Sequence, residues 1–295
     1  MHGRWPRLYT TGAENPAGRA RRPSSHQMWR PAPLALPGSP VHLSAFKLPQ
    51  QGASGLDARD LSVSIVIPVL NEAAGVEERL LALSPLRQSG AEVIVVDGGS
   101  ADATAHLALD HCDRLLYAPL GRASQMNAGA AVARGDLLLF LHADTRLPDG
   151  ALDDIRRGLG EGARVWGRFD VMIEGRSRLL PLVAAMMNLR SRLTGVATGD
   201  QAIFVRKAAF AQVGGFADIA LMEDIALSRA LKRLSPPVCL RAKVRTAGRR
   251  WDERGALRTI LLMWRLRMAY FLGADPADLA VKYGYRPPAR EQQAP

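Results

Sequence analysis

Asp136-Leu-Leu-Leu-Phe-Leu-His-Ala-Asp-Thr145 is a short apolar run that ends abruptly in the polar side chains of His142 and Asp144. An apolar run of this length favours a strand that is buried on both faces of a parallel sheet. Polar groups that follow such a strand lie at the carboxyl edge of the sheet, where α/β proteins bind ligands. Asp144 therefore has two interpretations, a turn or capping carboxylate before Pro148-Asp149-Gly150, or a ligand of a divalent metal that holds a diphosphate.

Two kinds of segment alternate along the chain around this run. β-branched and apolar runs predict strands, and runs with apolar residues at helical spacing predict the helices between them. In the first half, strands are predicted over 63–69, 92–97 and 114–118, and helices over 73–83, 101–111 and 123–134. Ser100 and Gly135 are expected to cap the second and third of these helices. The alternation predicts an α/β fold in which helices flank a mostly parallel sheet.

The second half has a less regular pattern and ends in a predicted amphipathic helix. Strands are predicted over 165–173, 202–205 and 238–246, and helices over 179–189, 222–234 and 255–273. Residues 1–60 contain eight prolines without apolar periodicity, so this basic segment is expected to be disordered. The folded domain is expected to span 61–252, and an amphipathic C-terminal helix and tail 253–295.

Polar residues follow three of the predicted strands at the points where these strands end. Asn71-Glu72 follows the first strand, Asp97 ends the second, and Asp144 follows the opening run. The carboxyl ends of parallel strands lie at one edge of a sheet, so we expect a single crevice that holds several carboxylates. A cleft that gathers negative charge is stable only when it binds a cation or a polar ligand.

Motifs of several common enzyme classes are absent from the sequence. There is no Gly-x-Gly-x-x-Gly after the first strand, no Walker A loop and no Gly-x-Ser-x-Gly, which disfavours dinucleotide-binding, P-loop and hydrolase chemistry. Cys112 and Cys239 are too few for a disulfide framework. No secretory signal peptide or run of about 18 apolar residues is evident. We therefore expect a cytoplasmic protein, either soluble or peripheral at the inner face of the plasma membrane.

The formal net charge of +11 raises the question of an anionic partner. Much of the excess lies in residues 1–60 and after Arg229, and a basic C-terminal third could serve anionic lipid, a diphosphate or nucleic acid. Few aromatic residues are interleaved as stacking platforms, so no nucleic-acid partner is expected.

The predicted C-terminal helix has two interpretations. Arg254, Arg258 and Arg265 share one face, and Trp264 and Tyr270 are amphipathic side chains of the kind found at membrane interfaces. The helix could lie in an anionic membrane interface, with its arginines toward the headgroups. Alternatively, it could pack across the domain while its arginines extend to water.

Seven short pieces occur along the chain in this order: Ile67–Glu72, Val95–Thr104, His142-Ala143-Asp144, Gly199-Asp200-Gln201, Gly214-Gly215-Phe216, Glu223-Asp224 and Arg249-Arg250-Trp251. Together they resemble the family 2 glycosyltransferases of GT-A fold. The resemblance covers residues 62–251 and implies a Rossmann-like sheet with C-terminal helices. The second and third pieces contain Asp97-Gly-Gly-Ser and His142-Ala-Asp. These variants of the motifs resemble those of a bacterial branch of the family whose genes often lie beside selenium- or radical-associated genes.

The resemblance implies a site for a nucleotide-sugar donor. Pro68 and Glu72 would flank the base and ribose, Asp97 would hydrogen-bond the base, usually uracil, and Asp102 would help to shape that pocket. These positions belong to the first two matching pieces of the sequence.

The resemblance also implies a metal and a general base. Asp144 would coordinate Mn²⁺ or Mg²⁺, and Asp224 would deprotonate the acceptor hydroxyl. The residues implied near the diphosphate and acceptor are Asp200, Glu223, Arg249, Arg250 and Trp251. Glu223 and Asp224 also have a simple structural interpretation, since carboxylates are favourable at a helix N-terminus.

His142 departs from the family pattern, which usually has Asp-x-Asp at the metal. Imidazole can bind Mn²⁺ but suits Mg²⁺ poorly. His142 is therefore either a metal ligand, a phosphate ligand or a partner of a neighbouring side chain.

These observations predict an inverting, metal-assisted hexosyltransferase that uses a nucleotide-diphosphate sugar, with a UDP-sugar expected. The sequence does not specify the acceptor, and both a lipid-linked and a small-molecule acceptor stay open. One alternative is a nucleotidyltransferase, which would need a glycine-rich phosphate loop near the first strand. The other is a non-catalytic nucleotide-sugar-binding protein at the membrane surface.

Overall fold

The structure of the protein is a computed structural model, which describes residues 61–160 and 163–285. The predicted disordered segment 1–60 and the last ten residues of the predicted tail, 286–295, lie outside the described residues. The boundaries of the folded domain and the tail therefore stay predictions.

Within the described residues, eight strands form one sheet. They are β1 Val63–Val69, β2 Glu92–Asp97, β3 Arg114–Tyr117, β4 Leu137–Phe140, β5 Thr145–Arg146, β6 Trp166–Glu174, β7 Phe204–Arg206 and β8 Val238–Ala247. The strand order is β3-β2-β1-β4-β7-β6-β8-β5. Strands β3, β2, β1 and β4 are parallel, as predicted, and β6 and β8 are also parallel. Strand β7 is antiparallel to both β4 and β6, and β5 is antiparallel to β8, so the second half of the sheet is mixed.

Helices cover both faces of this sheet. They are α1 Val76–Leu81, α2 Ser84–Gln88, α3 Thr104–Leu109, α4 Arg122–Val132, α5 Ala151–Gly160, α6 Leu180–Thr194, α7 Lys207–Gln212, α8 Glu223–Leu231, α9 Arg249–Arg254, α10 Ala256–Phe271 and α11 Pro276–Tyr283. A 3-10 helix spans Gly199–Gln201. The six predicted helices are present, with ends that differ from those predicted. Helices α2, α5, α7, α9 and α11 had no counterpart among the predicted elements.

Both predicted helix caps are wrong. The residue that precedes α3 is Ala103, whereas the Ser100 hydroxyl accepts a hydrogen bond from the Asn71 amide at 2.9 Å. Helix α4 ends before Ala133, and Gly135 lies beyond it against β1. A β-carbon at Gly135 would come within 2.6 Å of the Ser64 nitrogen, so this glycine permits close strand packing rather than capping a helix.

Apolar side chains fill the space on both faces of the sheet. Along β1, Ile65 and Ile67 belong to one buried cluster and Val66 to another, as expected for a strand whose side chains alternate between faces. Helices α1, α5 and α6 pack on the first face, and α4, α7 and α8 pack on the second. Burial on both faces explains why β1 is apolar except for Ser64, whose hydroxyl donates to Glu92 at 2.6 Å.

The C-terminal helices pack beside the start of α8. A third cluster joins Met222 and Ile225 to Leu266 of α10 and to Leu279 of α11. The described residues include no helix that is long and apolar enough to cross a bilayer. Through this cluster, α10 and α11 form a wall beside the N-terminus of α8.

Candidate active site

Two adjoining cavities lie where β1 and β4 end. The larger has a volume of about 460 Å³, and its lining includes Pro68, Glu72, His142, Asp144 and Glu223. The smaller, of about 140 Å³, shares three of these residues, His142, Asp144 and Glu223. The smaller cavity is also lined by Asp200, Asp224, Trp251 and Arg267. Residues that are far apart in the sequence thus line two cavities that share a wall.

Asp97 lies outside the lining of both cavities. Its side chain is buried, and Oδ1 accepts hydrogen bonds from the amides of Gly99 at 2.9 Å and Ser100 at 2.8 Å. In this structure Asp97 therefore shapes the turn that follows β2. Its role toward a nucleotide base stays a prediction.

Asp102 ties together the loops that follow β1 and β2. Its carboxylate accepts hydrogen bonds from the Ala73 amide at 3.2 Å and from both the amide and the hydroxyl of Thr104. The Thr104 hydroxyl in turn accepts a hydrogen bond from the Glu72 amide at 2.8 Å. The hydrogen bond from the Thr104 hydroxyl lowers the pKa of Asp102 and favours its carboxylate form.

Glu72 is shared by two arginines. Its Oε2 lies 3.0 Å from Arg79 Nη2 and 3.2 Å from Arg249 Nη2. Arg249, which begins α9, therefore reaches across to the loop after β1. Trp251 lines the smaller cavity, whereas the side chain of Arg250 lies outside the described residues.

His142 is held by the 3-10 helix. Its Nδ1 lies 3.4 Å from Asp200 Oδ1, and a β-carbon at Gly199 would come within 2.4 Å of its Nε2. A side chain at position 199 would thus displace the imidazole. Burial would raise the pKa of Asp200, but the hydrogen bond from His142 and the charges of His142, Arg122 and Arg267 outweigh it and lower that pKa to about 2. The observed partner of His142 is therefore a neighbouring carboxylate.

Asp144 offers one carboxylate oxygen to the cavities. Its Oδ1 accepts hydrogen bonds from the hydroxyls of Thr145 at 3.3 Å and Thr246 at 3.4 Å, and the described part of the chain places no hydrogen bond on Oδ2. Among the residues that the structure describes, no three or more His, Cys, Asp or Glu side chains are grouped to hold a metal. A cation at Asp144 would thus need further ligands from a bound molecule, an arrangement that suits Mg²⁺ with phosphate oxygens.

Glu223 and Asp224 enter the cavities from the N-terminus of α8. The left-handed conformation of Met222, with φ of 72°, turns the chain into this helix. Asp224 Oδ2 accepts a hydrogen bond from the Gly199 amide at 2.8 Å, which fixes the carboxylate beside the 3-10 helix. Glu223 is only 6% exposed, and burial together with the charge of Asp224 raises its pKa to about 7.

Glu223→Gln should change the pH dependence of stability. The folded-state pKa of Glu223 lies above its usual value of 4.5, so its stabilising contribution is complete below that value and is lost as pH rises through about 7. Thermal unfolding should show little difference between variant and parent near pH 5. Near pH 8 the variant should be more stable by about 1 to 3 kcal/mol. Glu253→Gln controls for loss of an exposed carboxylate, and equal destabilisation of Glu223→Gln at both pH values would contradict the prediction.

Arg122 and Gln125 are site residues that the sequence analysis missed. Gln125 Nε2 donates to the carbonyls of Val69 at 2.9 Å and Val96 at 2.8 Å, which joins the ends of β1 and β2. Arg122 lines both cavities and lies 5.8 Å from the ring centre of Tyr285. A signal existed, because α4 begins directly after the carboxyl end of β3, at the edge where ligands bind.

The family of the chain follows from its central part. Residues 64–209 match the family model described as Glycosyl transferase family 2. The chain belongs to this family. The resemblance stated from the motifs is thereby confirmed for the family, whereas the bacterial branch stays a prediction.

Two known proteins are similar in sequence to part of this chain. The chain is 31% identical over 157 residues to an undecaprenyl-phosphate 4-deoxy-4-formamido-L-arabinose transferase of Pseudomonas paraeruginosa (strain DSM 24068 / PA7), covering 49% of this chain and 46% of that protein. It is 39% identical over 102 residues to an uncharacterized protein of Mycobacterium tuberculosis (strain CDC 1551 / Oshkosh), covering 32% and 31%. The chain thus spans less than half the length of these relatives.

Solved structures share the fold of the glycosyltransferase domain. S. aureus TarS 1-349 in complex with UDP gives a TM-score of 0.52 at 17% identity, covering 63% of this chain and 60% of that chain. The mannosyltransferase PcManGT from Pyrobaculum calidifontis, in complex with GDP-Man and Mn²⁺, gives 0.50 at 20% identity, covering 77% and 66%. The predicted α/β fold of GT-A type is therefore confirmed.

Proposed function

We propose that this glycosyltransferase moves a hexosyl group from a nucleotide-diphosphate sugar, expected to be a UDP-sugar, to an acceptor hydroxyl with inversion at the anomeric carbon. One observation carries the proposal. The two adjoining cavities are lined by Pro68 of β1, Glu72 of the loop after β1, Asp144 and Asp224. The larger cavity offers room for a donor, and the smaller one adjoins the proposed base.

The proposed donor is supported by the ligands named for proteins of the same fold. TarS is described in complex with UDP, and PcManGT in complex with GDP-Man and Mn²⁺. In this chain, Pro68 and Glu72 would contact the nucleoside, while Asp102 would hold the loop of Glu72 in place. Arg122 and Arg249 carry positive charge beside the larger cavity, where it would stabilise a diphosphate.

The residues present fit a divalent cation that is bound jointly with the donor. Asp144, whose Oδ2 accepts no hydrogen bond from residues 61–160 and 163–285, would be the protein ligand, and His142 is the second candidate. Such a cation would neutralise the charge that grows on the leaving diphosphate. Because Mg²⁺ binds through one or two carboxylates and substrate phosphates, the small number of protein ligands is sufficient.

Asp224 is proposed as the general base. The acceptor oxygen would give its proton to the Asp224 carboxylate as it forms a bond to the anomeric carbon, while the bond from that carbon to the diphosphate oxygen breaks. A single displacement of this kind inverts the configuration at the anomeric carbon. The hydrogen bond from the Gly199 amide would keep the carboxylate oriented during the reaction.

A screen of sugar nucleotides tests this function. A UDP-sugar is expected to raise the melting temperature and to be hydrolysed slowly in the absence of an acceptor, with a larger effect when Mn²⁺ is present. If no UDP-, GDP- or other nucleotide-sugar stabilises the protein or is hydrolysed, the proposed donor class is wrong.

The exposed face of α10 supports peripheral contact with an anionic membrane. Five apolar side chains recur on this face at spacings of three and four residues, each at least 55% exposed: Leu257, Leu261, Trp264, Met268 and Phe271. Arg258 and Arg265, also exposed, lie on the same helix. An apolar stripe beside cationic side chains is typical of helices that lie in the headgroup region.

Replacing Leu261, Trp264 and Met268 together by serine should weaken sedimentation with vesicles that contain phosphatidylglycerol by about tenfold or more, because buried apolar area drives such binding. Leu109→Ser removes an exposed apolar residue on another helix and serves as the control. Equal sedimentation of the triple variant and the parent would contradict a membrane role for α10.

A further inference from the structure

Helix α6 carries a second exposed apolar stripe. Five large apolar side chains recur along this helix and at the residue before it, at alternating spacings of three and four residues and each at least 37% exposed: Leu179, Leu182, Met186, Leu189 and Leu193. Residues at these spacings share one face of a helix. Another face of α6 is buried, since Leu180, Val183 and Ala184 belong to the first core cluster. The stripe is therefore surface that the fold itself leaves uncovered.

The strand topology brings α6 and α10 over the same face of the sheet. Helix α6 follows β6, α9 and α10 follow β8, and these two strands are parallel neighbours. Asp252 of α9 accepts hydrogen bonds from the backbone amides of Arg176 at 2.9 Å and Ser177 at 3.3 Å, which joins the turn before α6 to α9. Ile260 of α10 packs against the same core cluster that contains Leu180. The two exposed stripes thus lie on the outer side of one common core.

The apolar surface of the protein is concentrated on these two helices. Most of the exposed large apolar side chains of the described residues lie on α6 and α10 or at their ends. The helices have 15 and 16 residues, so each stripe is roughly 22 to 24 Å long. Exposed apolar surface of this extent marks an interaction site rather than the scattered apolar residues of an ordinary surface.

The charged residues of both helices are all basic. Neither α6 nor α10 contains an aspartate or a glutamate. Arg258 and Arg265 of α10 are exposed, and so are Arg176 and Arg178 directly before α6. Apolar stripes flanked by arginines complement the apolar interior and the anionic headgroups of a bilayer.

The same charges disfavour a second copy of the chain as the partner. The spacing of the α6 stripe would also suit a coiled-coil seam, in which the flanking positions usually carry opposite charges. In α6 the charged flanking positions are Arg178, Arg190 and Arg192, and no acidic residue occurs in residues 175–194. Two copies of α6 would therefore bring arginines together without a counter-charge.

We propose that α6 and α10 together form a docking surface for an anionic bilayer, with both apolar stripes at the level of the headgroups and the arginines among the phosphates. The proposal extends to a second helix the membrane contact proposed for α10. Thr259 and Met263 of α10 line the smaller cavity. A bilayer on the exposed stripe of α10 would lie within one helix diameter, about 10 Å, of that cavity.

Flotation of the full-length protein with vesicles of phosphatidylglycerol and phosphatidylcholine tests the role of α6. Replacing Leu182, Met186 and Leu189 together by serine should weaken binding about tenfold or more, because buried apolar area drives it. Leu81→Ser combined with Leu109→Ser removes exposed apolar residues of two other helices and should leave binding unchanged. Equal binding of the α6 variant and the parent, or no binding of the parent, would overturn the proposal.

The triple serine variant of α10 is the reference in the same assay. Combining the α6 and α10 substitutions should weaken binding more than either set alone. If the α10 variant loses binding and the α6 variant does not, the extension to α6 is wrong while the contact of α10 stands. No sugar nucleotide is needed for these measurements, so their outcome is separate from that of the proposed transfer reaction.

The contribution of charge is tested with the arginines before α6. Arg176→Gln combined with Arg178→Gln should weaken binding to the anionic vesicles roughly tenfold. Binding to vesicles of phosphatidylcholine alone should change little. Arg134→Gln combined with Arg157→Gln is the matched control, since these side chains are 78% and 76% exposed on other helix ends. An equal loss of binding in both double variants would contradict an anionic partner of α6.

Sedimentation equilibrium and thermal melting without vesicles separate the membrane from other roles of the α6 stripe. The serine variant should have the same mass in solution as the parent and melt within a few degrees of it, because the replaced side chains are exposed. A parent dimer that the serine substitutions dissociate would show that a second copy covers α6, and would overturn the proposal. A marked fall in melting temperature would assign the stripe a structural role and overturn it as well.

Discussion

Asp224→Asn is expected to lower kcat for sugar transfer by about two to four orders of magnitude, the usual range for removal of a general base. Asparagine has the same shape and can still accept the hydrogen bond from the Gly199 amide, so the 3-10 helix should keep its position. Nucleotide affinity should change little, because Asp224 lines the smaller cavity and not the larger one. Parallel measurements of transfer and of UDP binding check both parts.

Asp218→Asn is the matched control for this experiment, since Asp218 is an exposed carboxylate on the loop that precedes α8. It should leave transfer unchanged. Turnover of Asp224→Asn at the parental rate would remove Asp224 as the base. In that case Glu223, whose raised pKa places its titration near neutral pH, would be the next carboxylate to test.

Asp144→Ala should weaken sugar-nucleotide binding in the presence of Mn²⁺ by about 10- to 100-fold, or about 1.4 to 2.8 kcal/mol. The reason is that Asp144 is the proposed protein ligand of the cation that accompanies the donor. The parental affinity should fall on addition of EDTA, whereas the affinity of the variant should no longer respond to EDTA. Calorimetry or fluorescence titration with a sugar nucleotide measures both effects.

Asp149→Ala, a change in the exposed turn after β5, tests whether any nearby loss of charge has the same effect. It should preserve both affinity and the response to EDTA. Donor affinity that is indifferent to EDTA in the parent, and unaffected by Asp144→Ala, would exclude the bridging cation.

The sequence was most informative where local signals are strong. The boundaries of β1 and β2 were predicted to the residue, because each is a β-branched run between polar turn residues. Alternation of such runs with helical segments sufficed for the fold class. The direction of β7 was not predicted, because a short apolar strand carries no local signal of whether it runs parallel or antiparallel to its neighbours.

The site was predicted less completely than the fold. Pro68, Glu72, Asp144 and Asp224 could be chosen because they belong to motifs, and the structure places all four around the joined cavities. Arg122 could not, since a single arginine at the start of a helix is common and only tertiary packing brings it to both cavities. Asp97 is the opposite case. It was chosen because it belongs to a motif, but its carboxylate accepts hydrogen bonds from the turn after β2 and lines neither cavity.

The ion pair between Glu72 and Arg249 joins residues 177 positions apart, and it has a consequence for synthesis of the chain. Translation delivers the loops after β1 and β2 well before Arg249 and Arg267 are made. A nascent chain that has completed β8 therefore holds Pro68, Asp144 and Asp224 but lacks one wall of the cavity. Premature termination at that point would keep the positions of most carboxylates that line the cavities but remove the wall that α9, α10 and α11 contribute.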